Sequence, residues 1–143
     1  KDLVGQLKRR YEIFQYYTSK GFTFPPLFHP NSWVAKDCII GKGVQIFSGA
    51  VVQPSCLIGD LTIINTKASL DHDSIIGNAC HLAPGVNCGG SIQIGQSSHI
   101  GIGASILPNV RIGCETIIAA GALVNKDISD KKKVGGIPAR LMK

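Results

Sequence analysis

The chain has 143 residues, of which 44% are apolar and 17% charged, with a formal net charge of +6. That size and polarity describe one domain with a buried core and exclude a disordered chain. No apolar run approaches the ~18 residues of a membrane span, and no charged-then-apolar leader is seen, so neither a membrane partner nor a signal peptide is expected.

Residues 2–19 read as an amphipathic helix. Leu3, Leu7, Tyr11, Phe14 and Tyr17 share one face at three-to-four spacing, and Gly21 supplies a stop. Phe22 to Pro30 follows as an extended apolar linker. Eight of the nine aromatic residues precede residue 34, so this arm, residues 1–32, is expected to cap whatever follows it.

From Val34 a period of six takes over. Val34, Ile40, Ile46, Val52, Ile58, Ile64, Leu70, Ile76, Leu82, Cys88, Ile94, Ile100, Ile106, Ile112, Ile118 and Val124 are all Val, Ile or Leu except Cys88. Those three types make up 38 of 143 residues, so chance would place about four in sixteen such positions. Four residues after each lies a small or β-branched one, from Cys38, Val44 and Ala50 through to Ile128. One large and one small residue per six therefore point inward. Three short strands per 18 residues make a triangular coil, and sixteen hexads give about five coils stacked as a parallel β-helix. Glycine dominates the position after the aliphatic one, at Gly41, Gly59, Gly77, Gly89, Gly95, Gly101 and Gly113. Its conformational freedom suits a tight corner there. The coil is expected over 33–128, with a polar loop and short tail over 129–143.

Charge is uneven. Residues 1–36 and 126–143 each carry six basic and two acidic residues, while those between carry three basic and five acidic. Solubility would explain this; so would a polyphosphate ligand near Lys131, Lys132, Lys133, Arg140 and Lys143. Nucleic acid fits less well, because no aromatic residue follows Phe47 to stack on bases. Five cysteines, an odd number with no C-x-x-C, argue for reduced thiols in a cytoplasmic protein, used as small buried side chains.

Of the four histidines, His29 lies in the proline-rich linker and reads as structural. His72 stands between Asp71 and Asp73, at a hexad position that points outward. A flanking carboxylate orients one ring nitrogen and raises basicity, leaving the other free to act as a general base. Eighteen residues on, and so in the next coil, is Gly90, where bare backbone would admit a thioester and offer N–H to an oxyanion. His81 and His99 are also 18 apart and should stack, either as a site or as two exposed corner residues.

The [Leu/Ile/Val]-Gly-x-x-x-x pattern over residues 33–140 resembles the hexapeptide-repeat acyltransferases, whose coil is left-handed. Asn65-Thr-Lys-Ala-Ser-Leu-Asp-His-Asp-Ser-Ile-Ile-Gly77, His81-Leu-Ala-Pro-Gly85 and the closing Gly136-Ile-Pro-Ala-Arg140 are similar to the branch that acetylates bacterial sugars of the bacillosamine, perosamine and sialic-acid type. The resemblance implies acetyl-CoA as co-substrate, no metal, and transfer to an amino or hydroxyl group of a nucleotide-linked sugar. It implies His72 as base, oriented by Asp73, with Asn65 and His81 at substrate positions. It further implies Gly90 as donor to the thioester carbonyl, backbone at Ile102 and Ala120 along the pantetheine arm, and Pro138 and Arg140 beside the nucleotide end. It implies a homotrimer with sites between subunits. Enzymes of that branch carry a preceding sugar-nucleotide domain, of which residues 1–32 resemble the end.

Four alternatives compete on the same coil. A serine or small-antibiotic acetyltransferase has a different sequence around the base. A zinc-dependent carbonic anhydrase would need three histidines, two of them close, whereas His72, His81 and His99 are 9 and 18 apart. An ice-binding surface would show outward threonine ladders, and a catalytically degenerate scaffold would keep the coil alone.

Overall fold

The computed structural model describes residues 2–142. The 17-residue helix α1 (Leu3–Ser19) is capped by Asp2, whose Oδ1 accepts from the Gly5 N–H at 2.9 Å. A β-helix of about six turns follows, one more than the sixteen hexads alone imply.

Its strands lie on three faces. Face A stacks Leu27–Phe28, Gln45–Ile46, Ile63–Ile64, His81–Leu82, His99–Ile100, Ile117–Ile118 and Lys133–Gly135, all parallel. Arg140–Leu141 then closes that sheet antiparallel. Face B runs from Trp33–Val34 to Leu123–Val124, and face C from Ile39–Ile40 to Arg111–Ile112. Partners are 18 residues apart, as in Ser69↔Asn87 and His81↔His99, until the last turn, where Ile117↔Lys133 are 16 apart. The architecture is the parallel β-helix that the repeat predicts, and it fits the left-handed coil that the resemblance implies.

Coil structure reaches further at both ends than the period from Val34 suggests. The first strand, Leu27–Phe28, falls inside the expected linker, and Lys133–Gly135 inside the expected tail. Nor is α1 confined to the first coil. It runs along the corner between faces C and A. Lys8 Nζ meets Glu115 Oε1 at 3.3 Å, and Asn78 Nδ2 donates to Tyr11 Oη at 3.1 Å. Phe14 packs with Leu61, Ala79 and Phe24. The helix has two buried apolar residues, Leu7 and Phe14.

The core is one column of the large inward residues and the small ones four positions later. Where those small residues are polar they bond between coils. Thr62 Oγ1 donates to Gly77 O at 2.7 Å and accepts from the Cys80 N–H. Cys80 Sγ points at Gly95 O, and Ser98 Oγ joins Gly113 O and the Thr116 N–H. Buried Oγ and Sγ groups thus stay satisfied without charge. Burial pushes the Cys56 and Cys80 thiols up, to about 11 and about 12, and Cys88 higher still. All five cysteines are free.

The reason for the corner glycines differs from the expectation. The left-handed residue of each turn lies two positions later, in an unbroken series from Gly43 to Gly121 that includes Leu61, Lys67, Asp73, Ala79 and Glu115. The dominant glycines do not have positive φ. They are required because the next coil touches them: a Cβ on Gly95 would lie 2.5 Å from the Cys114 backbone nitrogen, and one on Gly59 would lie 2.7 Å from that of Asn78. The constraint is close packing between coils rather than backbone conformation.

Candidate active site

His72 and Asp73 form the turn between faces B and C. The Asp71 carboxylate accepts the His72 backbone N–H at 2.9 Å and fixes the start of the turn. Asp73 takes the left-handed position, φ 56°, which brings its Oδ2 to 2.7 Å from His72 Nδ1. The His72 side chain is 57% exposed. Its pKa is raised, first by the hydrogen bond to Asp73 and then by the charge of Asp71. Nδ1 is held by Asp73, so Nε2 is the free nitrogen.

Gly90 lies directly against that free nitrogen. A Cβ built on it would come within 2.8 Å of both Nε2 and Cε1. The Gly90 N–H meets no acceptor among the described residues, whereas the adjacent Gly89 and Ser91 N–H groups donate to Ile106 O and His72 O. An oriented imidazole and an unused backbone donor therefore share one corner.

The other expected residues sit elsewhere on the chain. Asn65 and His81 belong to face A and the corner that follows it, with Asn65 Nδ2 3.0 Å from His81 Nε2. Ile102 and Ala120 stack at that same corner, 18 residues apart, and both also carry backbone N–H groups without acceptors among the described residues. Arg140 lines a cleft of about 520 Å³ with Lys126, Lys132, Val134 and Ala139, at the far end of the coil. Pro138 is in the same closing loop. Lys143, counted with the basic tail, lies outside the described residues.

His81 and His99 stack as expected, with ring centroids 5.0 Å apart. Sequence reasoning missed the rest of their setting. The Asn65–His81 bond joins positions 16 apart, which the 18-residue stacking rule does not pair. Arg10 reaches this region from α1 and donates to Leu61 O at 3.4 Å, and no repeat could reveal it. Burial, the neighbouring His99 and Arg10 push His81 down to about 4. His99 is lowered by burial. Among the described residues no group of three or more His, Cys, Asp or Glu is placed to hold a metal ion. No helix among them is long and apolar enough to cross a membrane.

No protein-family model matches the chain, and no curated protein matches it. Solved structures do. The acetyltransferase domain of PglB from Neisseria gonorrhoeae matches with TM-score 0.95 and 35% identity over 96% of this chain and 67% of that one, and the same domain is known in complex with acetyl coenzyme A. PerB from Caulobacter crescentus, in complex with CoA and GDP-perosamine, matches with TM-score 0.94 and 34% identity over 95% of this chain and 66% of that one. WeeI from Acinetobacter baumannii matches with TM-score 0.91 and 26% identity, over 95% and 66%. A serine acetyltransferase from Neisseria gonorrhoeae is more distant, with TM-score 0.56 and 26% identity, over 79% of this chain and 40% of that one. The chain spans about two thirds of the length of the PglB, PerB and WeeI structures. With a repeat that builds this coil, a histidine–aspartate pair at its corner and such identity along nearly all its length, the chain belongs to the hexapeptide-repeat β-helix acyltransferases, among the sugar acetyltransferases.

Proposed function

We propose that this chain transfers an acetyl group from acetyl-CoA to an amino or hydroxyl group of a nucleotide-linked sugar, with His72 as general base. The observation that carries the reading is the His72–Asp73 pair with Gly90 against its free nitrogen. The acceptor's N–H or O–H gives its proton to His72 Nε2 as its lone pair attacks the thioester carbon. The Gly90 N–H donates to the oxygen as it becomes an oxyanion. The intermediate then collapses, the C–S bond breaks, and the CoA thiolate leaves. The proton on His72 passes to the thiolate or to water. Asp73 keeps Nδ1 as the donor side of the ring, so Nε2 receives the proton. Histidine variants of the perosamine enzyme have been captured with both CoA and GDP-perosamine, which agrees with a histidine that serves chemistry more than binding.

Two further features support sites shared between copies in a homotrimer. His72 is open on its own chain, and a reacting thioester needs a drier setting. Beside it, face C presents an aliphatic ladder of Ile39, Leu57 and Ile75, 67%, 40% and 44% exposed, beginning three residues after His72. A second copy seated there would bury the ladder and wall the base. The other copy's Ile102 and Ala120 corner would then take the pantetheine arm, with Pro138 and Arg140 near the nucleotide. Asn65 and His81 would face substrate from the same corner. Five free cysteines, three of them buried, suit a cytoplasmic setting.

Replacing the exposed His72 by Ala tests the reading. Acetyl transfer to a panel of nucleotide-linked amino sugars should fall about 10²- to 10⁴-fold, while acetyl-CoA binding by calorimetry persists. Unchanged turnover would remove His72 from the role.

A further inference from the structure

Asn65 and His81 share a hydrogen bond whose direction the neighbouring Thr66 fixes, and the His99 ring stacks on His81. The Thr66 backbone N–H donates to Asn65 Oδ1 at 2.8 Å, and Thr66 Oγ1 lies 3.3 Å from the same oxygen. A backbone N–H can only donate, so this side of the Asn65 amide must be oxygen. The Nδ2 side therefore faces His81, at 3.0 Å from Nε2. An amide NH₂ likewise can only donate, so His81 Nε2 must be the acceptor. The proton of the ring is then on Nδ1. No acceptor among the described residues takes that Nδ1–H, and it is not a buried orphan. It is a donor that the chain itself leaves unused and does not shut off from solvent.

The surroundings act in the same direction. Ile63 lies below His81 on face A, and His99 above it with its ring against the His81 ring. The Arg10 guanidinium approaches from α1, held by Leu61 O. No carboxylate lies among the groups that shift His81. An imidazolium here would lose the Asn65 bond, since Nε2–H would point at Nδ2–H₂, and would face a cation and a second imidazole.

We infer that Asn65 and His99 are positioning residues that fix His81 as one uncharged tautomer, with its proton on Nδ1. The consequence concerns the kind of atom His81 can recognise, and it rests on the proposed substrate role of His81. The side chain offers one neutral N–H donor. It suits a carbonyl or hydroxyl oxygen of the substrate, and gives no ionic attraction to phosphate. The two imidazoles near the proposed chemistry are thereby separated. His72, beside carboxylates, is kept basic; His81, beside a cation and an amide, is kept neutral.

The test uses the full chain labelled with ¹⁵N-histidine, followed by long-range proton–nitrogen spectra between about pH 5 and 8. Wild type should show His81 as the Nδ1–H tautomer throughout. Asn65→Asp is nearly isosteric and still accepts the Thr66 N–H, but turns a donor into a carboxylate. It should move the proton to Nε2 and keep His81 charged to higher pH. His99→Gln should raise the pH at which His81 titrates. Kinetically, both variants should show an acceptor KM that worsens several-fold as pH falls, beyond any change in wild type. An Nε2–H tautomer in wild type, ordinary titration near the value of a free histidine, or an unmoved proton in Asn65→Asp would overturn the inference. If the spectra behave as expected and KM does not follow, the network stands and the substrate role of His81 fails instead.

Discussion

Gly90 lies against the Cε1–Nε2 side of the His72 ring so closely that a Cβ would come within 2.8 Å of both atoms. His72 is exposed and can swing, so Gly90→Ala would move the ring rather than unfold the coil. A base displaced by about an ångström costs on the order of 10²-fold in rate. Gly90→Ala should therefore lose about that much turnover, with a stability change within about 1 kcal/mol. Turnover assays paired with thermal melts check this. A large loss of stability with normal turnover per folded molecule would show the close approach to be structural.

Asp73 should set the pH profile. Its hydrogen bond raises the His72 pKa, so the base is protonated and inactive below that raised value. Asparagine tolerates the left-handed backbone that Asp73 adopts, so Asp73→Asn removes charge and leaves the turn intact. The acid limb of kcat/KM should move to lower pH, because His72 loses its main stabiliser of the charged form. The plateau should fall too, since a weaker base accepts the proton less readily. An acid limb that stays in place would assign it to another group.

The corner glycines give a prediction about stability. Gly95→Ala would push a Cβ to 2.5 Å from the Cys114 backbone nitrogen, which cannot step aside without parting two coils. The cost should be about 2–3 kcal/mol. Gly103 has φ +64° but open space around it, and the same left-handed position in other turns holds Ser55, Ala79 or Glu115. Gly103→Ala should cost about 1 kcal/mol. Urea midpoints compare the two, and a costlier Gly103→Ala would reverse the steric account.

That pair also shows how far sequence could reach. The inward positions were legible because burial admits few residue types: Ile64, Leu70 and Ile76 recur on schedule, and the pairing of His81 with His99 follows from it. The left-handed position was not legible. Ser55, Leu61, Lys67, Asp73 and Glu115 share the conformation and no chemistry, because the stacked turns around them impose it. The coil at Leu27–Phe28 was hidden among prolines and aromatics. His72 and Gly90 could be paired from spacing alone, since both lie on the repeat. Arg10 could not be brought to His81, because only the docking of α1 on the corner decides it.

The His81 setting also links stability to pH. Its pKa is pushed down to about 4, from 6.5 for the free group, first by burial and then by His99 and Arg10. Between those values the unfolded chain binds a proton that the folded chain refuses, so stability rises with pH there. The contribution is fully present above about pH 6.5 and is lost progressively as pH falls toward about 4. After discounting for partial exposure it is on the order of 1–2 kcal/mol, and His99, lowered by its own burial, adds in the same direction. His72 acts oppositely: its raised pKa favours the fold at low pH, and that benefit disappears as pH rises through the raised value. Solvent screening at this exposed side chain keeps it small. Urea midpoints should therefore decline between about pH 7 and 5, and His81→Gln, which keeps a polar side chain but does not titrate, should flatten the decline. If wild type and His81→Gln fall in parallel, the lost stability belongs to other groups, His99 among them, and His81 is not kept neutral by its surroundings.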